Sequence, residues 1–271
     1  MISPELRERL QRHGQEHLLS SLETLPEPDR ANLLRELEAI DLAELRSLHA
    51  RREQTDVLPP RERIQPLPRP SISDAERTKF DLDGENVYFD GEIAFLIVAG
   101  GQGTRLGFDE PKGMFPIGPI SKKSLFQLHA EKILALSRRT GQRFPFLVMT
   151  SPATDEATRK FFKRKNYFRL PPQDVWFFCQ GSMPAVDLAT GRLLFEAPGR
   201  LCLSPNGHGG TITGLHESGI LRQLEERGIR TIYYFQVDNP LVNLADYLFV
   251  GRHLAAEAEV SSKVLPKTGP K

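Results

Sequence analysis

Between Glu92 and Met114 the chain reads EIAFLIVAGGQGTRLGFDEPKGM. Gly100, Gly101, Gly103 and Gly107 leave little side chain to hold a ligand off the backbone, and glycine reaches left-handed dihedrals without penalty. Successive amides in such a loop can converge on one anion. Arg105 and Lys112 place a positive charge at opposite ends of the turn, so an anion with several oxygens, such as a polyphosphate, is the economical ligand. The pattern specifies phosphate and no particular nucleotide.

Two better-known phosphate loops fit less well. A Walker-type loop needs Lys-Ser or Lys-Thr directly after its last glycine, and here Gly107 is followed by Phe108, which argues against an ATPase. A dinucleotide loop spaces its glycines G-x-G-x-x-G, whereas Gly101, Gly103 and Gly107 carry one residue too many, and the basic residues suit a triphosphate better. Redox use and a purely structural glycine turn stay open as the weaker alternatives.

Four further clusters could contribute to the same chemistry. Gln180 precedes Gly181, and an amide beside a glycine can offer both donor and acceptor to a pyrimidine edge, although on spacing alone a strand-end glutamine is the plainer reading. The run SPNGHGGT from Ser204 sets Gly207, His208, Gly209 and Gly210 in a second loop that backbone and ligand could share. Asp238 and Asn239 close an apolar run. A carboxylate at the carboxyl end of a core strand, facing two phosphate loops, suits Mg²⁺, which prefers carboxylate and phosphate oxygens. Asp-Asn-Pro as a simple turn is the alternative. Lys122 and Lys123 stand just before a helix start at Ser124, where ammonium groups and helix dipole could share an anion; two exposed lysines are equally ordinary.

The elements that must position these residues follow from the apolar pattern. Buried strands are expected at Ile93–Ala99, Phe144–Met149 and Val175–Cys179, within Gly228–Asn239, and at Ala258–Val264. Helices are expected from Ser124 to before Gly141, from near Thr154 to Arg164, from Thr211, and over Leu241–His253. Asp187–Phe195 reads as a hairpin outside the main sheet. Ahead of the loop, Pro4–Arg52 reads as three helices, the third opened by an Asp41/Glu44 capping box. Thr55–Ser73 is rich in proline and reads as an arm or linker, and Asp74–Glu92 as a lead-in with a turn at Asp83-Gly84. The expected division is 1–54 helical, 55–91 arm and lead-in, and 92–271 catalytic, within an α/β class.

Composition narrows the function classes. The 271 residues carry a formal net charge of +1, which gives no general reason to expect a nucleic-acid partner. The Lys163-Arg164-Lys165 run before Tyr167 and Phe168 is more simply a basic helix end than a stacking platform. No run reaches the length of a membrane helix and the first residues lack a signal peptide's apolar core, so a cytoplasmic protein without membrane contact is expected. Cys179 and Cys202 read as two buried free thiols. His13 and His17 are four apart on one expected helix, but no third ligand stands near them.

The run from Gly100 to Lys112 with Gly113 and Met114, taken with the later loops, resembles the signature of the UTP-dependent sugar-1-phosphate uridylyltransferases. It is most similar to the branch that includes UDP-N-acetylglucosamine pyrophosphorylase, and the resemblance covers nearly all of the chain. It implies an open, mostly parallel Rossmann-like sheet of the nucleotidyltransferase (GT-A-like) type beside an N-terminal helical region. It also implies UTP and a sugar-1-phosphate as partners, Mg²⁺ as cofactor, and UDP-sugar and pyrophosphate as products. The residues it implies are Arg105 and Lys112 for catalysis, Gly100, Gly101, Gly103, Thr104 and Lys123 on the phosphate side, Gln180 and Gly207 at the uracil, His208 and Asn239 toward ribose or sugar, and Asp238 for the metal. At His208 the N-acetylhexosamine enzymes carry asparagine, and Gly-His-Gly looks more like the UDP-glucose and broad UDP-sugar enzymes. Family members continue beyond the point where this sequence stops, so a homologue that binds nucleotide or a partner without turnover is the alternative expectation.

Overall fold

The computed structural model describes residues 2–54, 59–65, 71–265 and 269. In chain order the helices α1 (Pro4–Arg12), α2 (His17–Thr24), α3 (Glu27–Glu38), α4 (Leu42–Ala50) and α5 (Asp74–Phe89) precede β1 (Ile93–Val98), α6 (Leu125–Thr140), β2 (Phe146–Thr150), α7 (Asp155–Arg164) and β3 (Val175–Cys179). Four short strands follow: β4 (Ser182–Pro184), β5 (Phe195–Ala197), β6 (Arg200–Leu201) and β7 (Leu203–Pro205). The order closes with α8 (Thr211–Glu217), α9 (Ile220–Glu226), β8 (Thr231–Gln236) and α10 (Tyr247–Ala255). These elements form two compact units, residues 1–68 with 182–206, and residues 69–181 with 207–271.

The larger unit is built on a four-stranded parallel sheet in the order β3-β2-β1-β8. A parallel sheet needs cover on both faces, and β1 is accordingly apolar at every position. Ile93, Phe95 and Ile97 turn toward a layer that includes α6 and α10, while Ala94 and Leu96 turn toward Leu215, Ile220 and Leu224 of α8 and α9. The open parallel α/β sheet expected from the sequence is therefore present. Ser124 caps α6 by accepting from Gln127 N, and Gly141 ends it in the left-handed conformation.

Three expectations in this unit are corrected. Asp83-Gly84 is not a turn but lies inside α5, which opens with a Ser73/Glu76 capping box. Gly84 serves packing instead: a Cβ there would meet the Tyr247 carbonyl oxygen at 1.9 Å, and one at Gly251 the Phe80 carbonyl oxygen at 1.8 Å, so the pair lets α5 and α10 touch backbone to backbone. The helix expected from Leu241 starts only at Tyr247, because Asn243 Oδ1 accepts from Ala245 N at 3.1 Å and Asp246 caps Phe249 N. Residues 258–264 form no strand, and Val260 and Val264 are exposed.

In the smaller unit, Leu10, Leu18, Leu22, Leu33 and Leu37 of the helices pack with Leu193 and Leu201. Buried Gln15 donates to Gly191 O at 3.0 Å and accepts from Leu193 N at 2.9 Å, and Asn32 donates to Gly199 O at 2.9 Å. Residues 182–206, which the sequence reading includes in 92–271, thus belong with the N-terminal helices. The expected hairpin is present as a bridge between Val186 and Leu193, and a separate β5-β6 pair follows it. The region holds four helices where three are expected, since the chain breaks at His13 and restarts at His17; the two histidines do not share a helix face. The proline-rich arm falls partly outside the described residues, at 55–58 and 66–70, and between those stretches Arg61–Arg63 forms a single 3-10 turn.

Candidate active site at the carboxyl edge of the sheet

Strand β1 delivers the glycine loop, and each glycine in it meets a different demand. The loop folds back on itself through a bridge between Gln102 and Pro111, with Gly103 N donating to Glu110 O at 3.0 Å and Lys112 N to Gly101 O at 3.0 Å. Thr104–Leu106 make a 3-10 turn that Gly107 closes at φ 64°. A Cβ on Gly103 would press on Phe108 O at 2.7 Å, and one on Gly100 would sit 2.5 Å from Gln180 Nε2. Gly101 is exposed with nothing within 4 Å of an added Cβ, so its backbone alone is open to a ligand. Thr104 and Arg105 are exposed beside it, and among the described residues no ion pair holds Arg105.

Strand β2 supplies the floor. Ser151, at its carboxyl end, donates from Oγ to Gly100 O at 2.8 Å, and Thr154 Oγ1 accepts from Ser151 N at 3.0 Å. Gln180 directly follows strand β3; its backbone N donates to Thr150 O at 2.9 Å and its buried side chain lies against Gly100. The glutamine expected at the base and the glycine loop expected at the phosphates are thus neighbours.

Strand β8 supplies the other wall. Its residues alternate, with Tyr233, Phe235 and Val237 buried and Tyr234, Gln236 and Asp238 exposed. Register pairs Val98 with Gln236, so the glycine loop and Asp238 leave neighbouring strand ends. The Lys112 ammonium donates to Asp238 Oδ2 at 2.9 Å, and half of the Asp238 side chain stays exposed. The expected phosphate lysine and the expected metal carboxylate are each other's partners. Asn239 follows in a turn, its N donating to Gln236 O at 3.2 Å, with the side chain exposed.

Gly207 has φ 61° and nothing within 4 Å of an added Cβ, as expected of a loop that a ligand can approach. His208 is bonded through Nδ1 to the Tyr234 hydroxyl, and its Nε2 lies 3.5 Å from Gln236 Nε2. Burial pushes the Tyr234 phenol up, so it keeps its proton.

Lys123, just ahead of α6, donates from its ammonium to Glu131 Oε2 on that helix at 2.6 Å, and Gln127 donates to the other oxygen at 3.0 Å. Burial alone would raise the Glu131 carboxyl, but these two donors outweigh it and hold the group below its usual range. Cys179 is exposed and Cys202 half-buried, which corrects the expectation of two buried thiols. Phe168 is buried among Phe161 and Phe162, so no stacking platform follows the basic helix end. Ser151 stands where the strand end at Thr150-Ser151 is expected to meet a ligand; sequence reasoning missed Tyr234 and Gln236, whose signal was the polar alternation in YYFQVD at a strand's carboxyl end.

Among the described residues no group of three or more His, Cys, Asp or Glu side chains could hold a metal ion unaided. One half-exposed carboxylate completed by phosphate oxygens and water nevertheless suits Mg²⁺, which keeps several waters and takes one or two carboxylates.

Over residues 44–271 the sequence matches the family described as UTP--glucose-1-phosphate uridylyltransferase. The chain belongs to that family. Within it, the chain is 37% identical to UDP-N-acetylglucosamine diphosphorylase 2 of Arabidopsis thaliana, over 97% of this chain and 55% of the relative. It is 36% identical to the UDP-N-acetylglucosamine pyrophosphorylase of Saccharomyces cerevisiae, over 96% of this chain and 55% of that protein. The crystal structure of the Trypanosoma brucei uridine diphosphate N-acetylglucosamine pyrophosphorylase with an inhibitor superposes with a TM-score of 0.76 at 32% identity, covering 95% of this chain and 56% of that one. The chain therefore spans about 55% of the length of the curated relatives it matches. No helix among the described residues is long and apolar enough to cross a membrane.

Proposed function

We propose that this site transfers a uridylyl group from UTP to a sugar-1-phosphate, giving UDP-sugar and pyrophosphate. The observation that carries the reading is the contact of Lys112 with Asp238 beside the open Gly101 backbone, at the edge of the sheet where Gln180 lies on Gly100. Family membership and the printed names of the relatives support it. In the reaction an oxygen of the sugar phosphate forms a bond to the α-phosphorus of UTP, and the bond to the bridging oxygen breaks as pyrophosphate leaves. The nucleophile is already an anion, so no side chain must remove a proton. What the protein supplies is alignment and charge.

Arg105 and the amides around Gly101 and Thr104 take the phosphates, and Lys112 turns from Asp238 to the developing negative charge. Gln180 reads the uracil edge, with Gly207 admitting the ring. Asp238 would hold Mg²⁺, which when bound would neutralise phosphate charge without proton transfer. His208, backed by Tyr234 and Gln236, and Asn239 border the ribose and sugar. The sugar phosphates assigned here are N-acetylglucosamine-1-phosphate, after the relatives' names, and glucose-1-phosphate, after the Gly-His-Gly sequence.

Calorimetry with UTP and Mg²⁺, followed by pyrophosphate release with a panel of sugar-1-phosphates, tests the reading. UTP binding and turnover on at least one of the two sugars are expected. Failure to bind UTP removes the reading, and binding without turnover on any sugar removes its catalytic half.

A further inference from the structure

The residues after β8 are held in an unusual way. From Val237 to Leu244 the chain has neither helix nor strand, yet side chains from three different elements take up its carbonyls. Lys132 Nζ, on α6, donates to Pro240 O at 2.5 Å and to Val242 O at 2.8 Å. One turn earlier on that helix, His129 Nε2 lies 3.3 Å from Val237 O, its ring fully buried. The Tyr233 hydroxyl donates to Asn243 O at 3.0 Å and the Tyr88 hydroxyl to Leu244 O at 2.8 Å. The segment's own bonds are few: Asn239 N to Gln236 O and Val242 N to Asn239 O, both at 3.2 Å.

A lysine ordinarily spends its charge on a carboxylate or on water. Here, among the described residues, no ion pair takes the Lys132 ammonium; it faces two neutral carbonyls that flank the turn following Asp238 and Asn239. Charge-assisted bonds of this kind are the strong ones, and two from one ammonium fix the turn at two points.

We propose that Lys132, with His129 beside it, is a positioning residue for this site: it holds the 237–242 turn so that Asp238 and Asn239 face the phosphate loop. Its consequence for ligand binding rests on the uridylyltransferase reading, whereas its consequence for the turn does not. Two measurements on Lys132→Met and Lys132→Arg therefore separate them. In Lys132→Met, amide exchange at Asn239 and Val242 is expected to speed up about tenfold or more while β1 stays protected, the scale of one or two lost charged hydrogen bonds. In the same variant the gain in UTP affinity brought by Mg²⁺ is expected to shrink about tenfold, with metal-free UTP binding within about twofold of wild type. Lys132→Arg, which can reach both carbonyls, restores both values.

Unchanged exchange overturns the proposal. Faster exchange with an undiminished Mg²⁺ effect also overturns it, leaving Lys132 a packing residue only. If wild type fails to bind UTP, the uridylyltransferase reading falls and the exchange experiment still decides whether the lysine holds the turn. Should Lys132→Met not fold, Lys132→Gln, whose shorter neutral side chain gives up both charge-assisted bonds, is measured in its place with the same expectations.

Discussion

Two glycines flanking Lys112 separate access from packing. A Cβ at Gly101 meets nothing within 4 Å, whereas at Gly113 it would lie 2.2 Å from the Phe126 ring. Gly113→Ala is expected to cost roughly 1–3 kcal/mol by overpacking. Gly101→Ala should leave the melting temperature alone and weaken UTP binding, and a variant pair with the opposite pattern would show that the ligand does not approach that backbone. Arg105→Ala should lower kcat about a hundredfold, the usual effect of removing one donor to a developing charge; turnover near wild type removes it from the mechanism. Gly100 and Gln180 give a paired prediction, because a methyl at Gly100 displaces the amide that Gln180→Ala deletes. Both variants should lose discrimination between UTP and CTP, and preserved selectivity in either rejects Gln180 as the base reader. These residues were legible because glycine spacing and strand-end polarity are local features. The pairing of Lys112 with Asp238 was not, since their strands meet only through the register of β1 with β8.

Elements whose signals were local came out as expected, and those that depended on a distant partner did not. Strand β3 and helix α6 carry their own apolar pattern and caps. Asp83-Gly84 carries a turn signature, yet α10 needs a glycine at that point of α5 for close approach, a demand that sequence order hides. Residues 258–264 have strand-forming side chains and no strand beside them. Helix α6 also yields a pH prediction. Burial first, and the Lys132 charge after it, push His129 down to about 4 against the bond to Val237 O, from an ordinary value of 6.5. The unfolded chain therefore binds the proton more readily, so this contribution to stability is complete above pH 6.5 and is lost as pH falls toward 4. The difference amounts to about 3 kcal/mol. Denaturant melts across that range should show wild type losing more stability than His129→Gln, and parallel losses would mean the ring is not buried neutral.

Across the whole molecule, the glycine loop, Gln180 and Asp238 all lie within one compact unit, while residues 182–206 pack with the N-terminal helices. Family membership covers residues 44–271. Because Lys112 already occupies Asp238, Mg²⁺ by itself must displace an ammonium to bind. Under the proposed reading UTP would relieve that competition by drawing the lysine onto its phosphates, so metal and nucleotide should each strengthen the other by the same factor. The most direct measurement is a UTP titration of this chain by calorimetry with and without Mg²⁺, repeated for Lys112→Ala and Asp238→Asn. The expected result is UTP binding that Mg²⁺ strengthens, that weakens in Lys112→Ala, and that loses its metal dependence in Asp238→Asn. UTP binding that ignores both substitutions, or no binding in the wild type, would contradict a uridylyl-transfer site at this edge of the sheet.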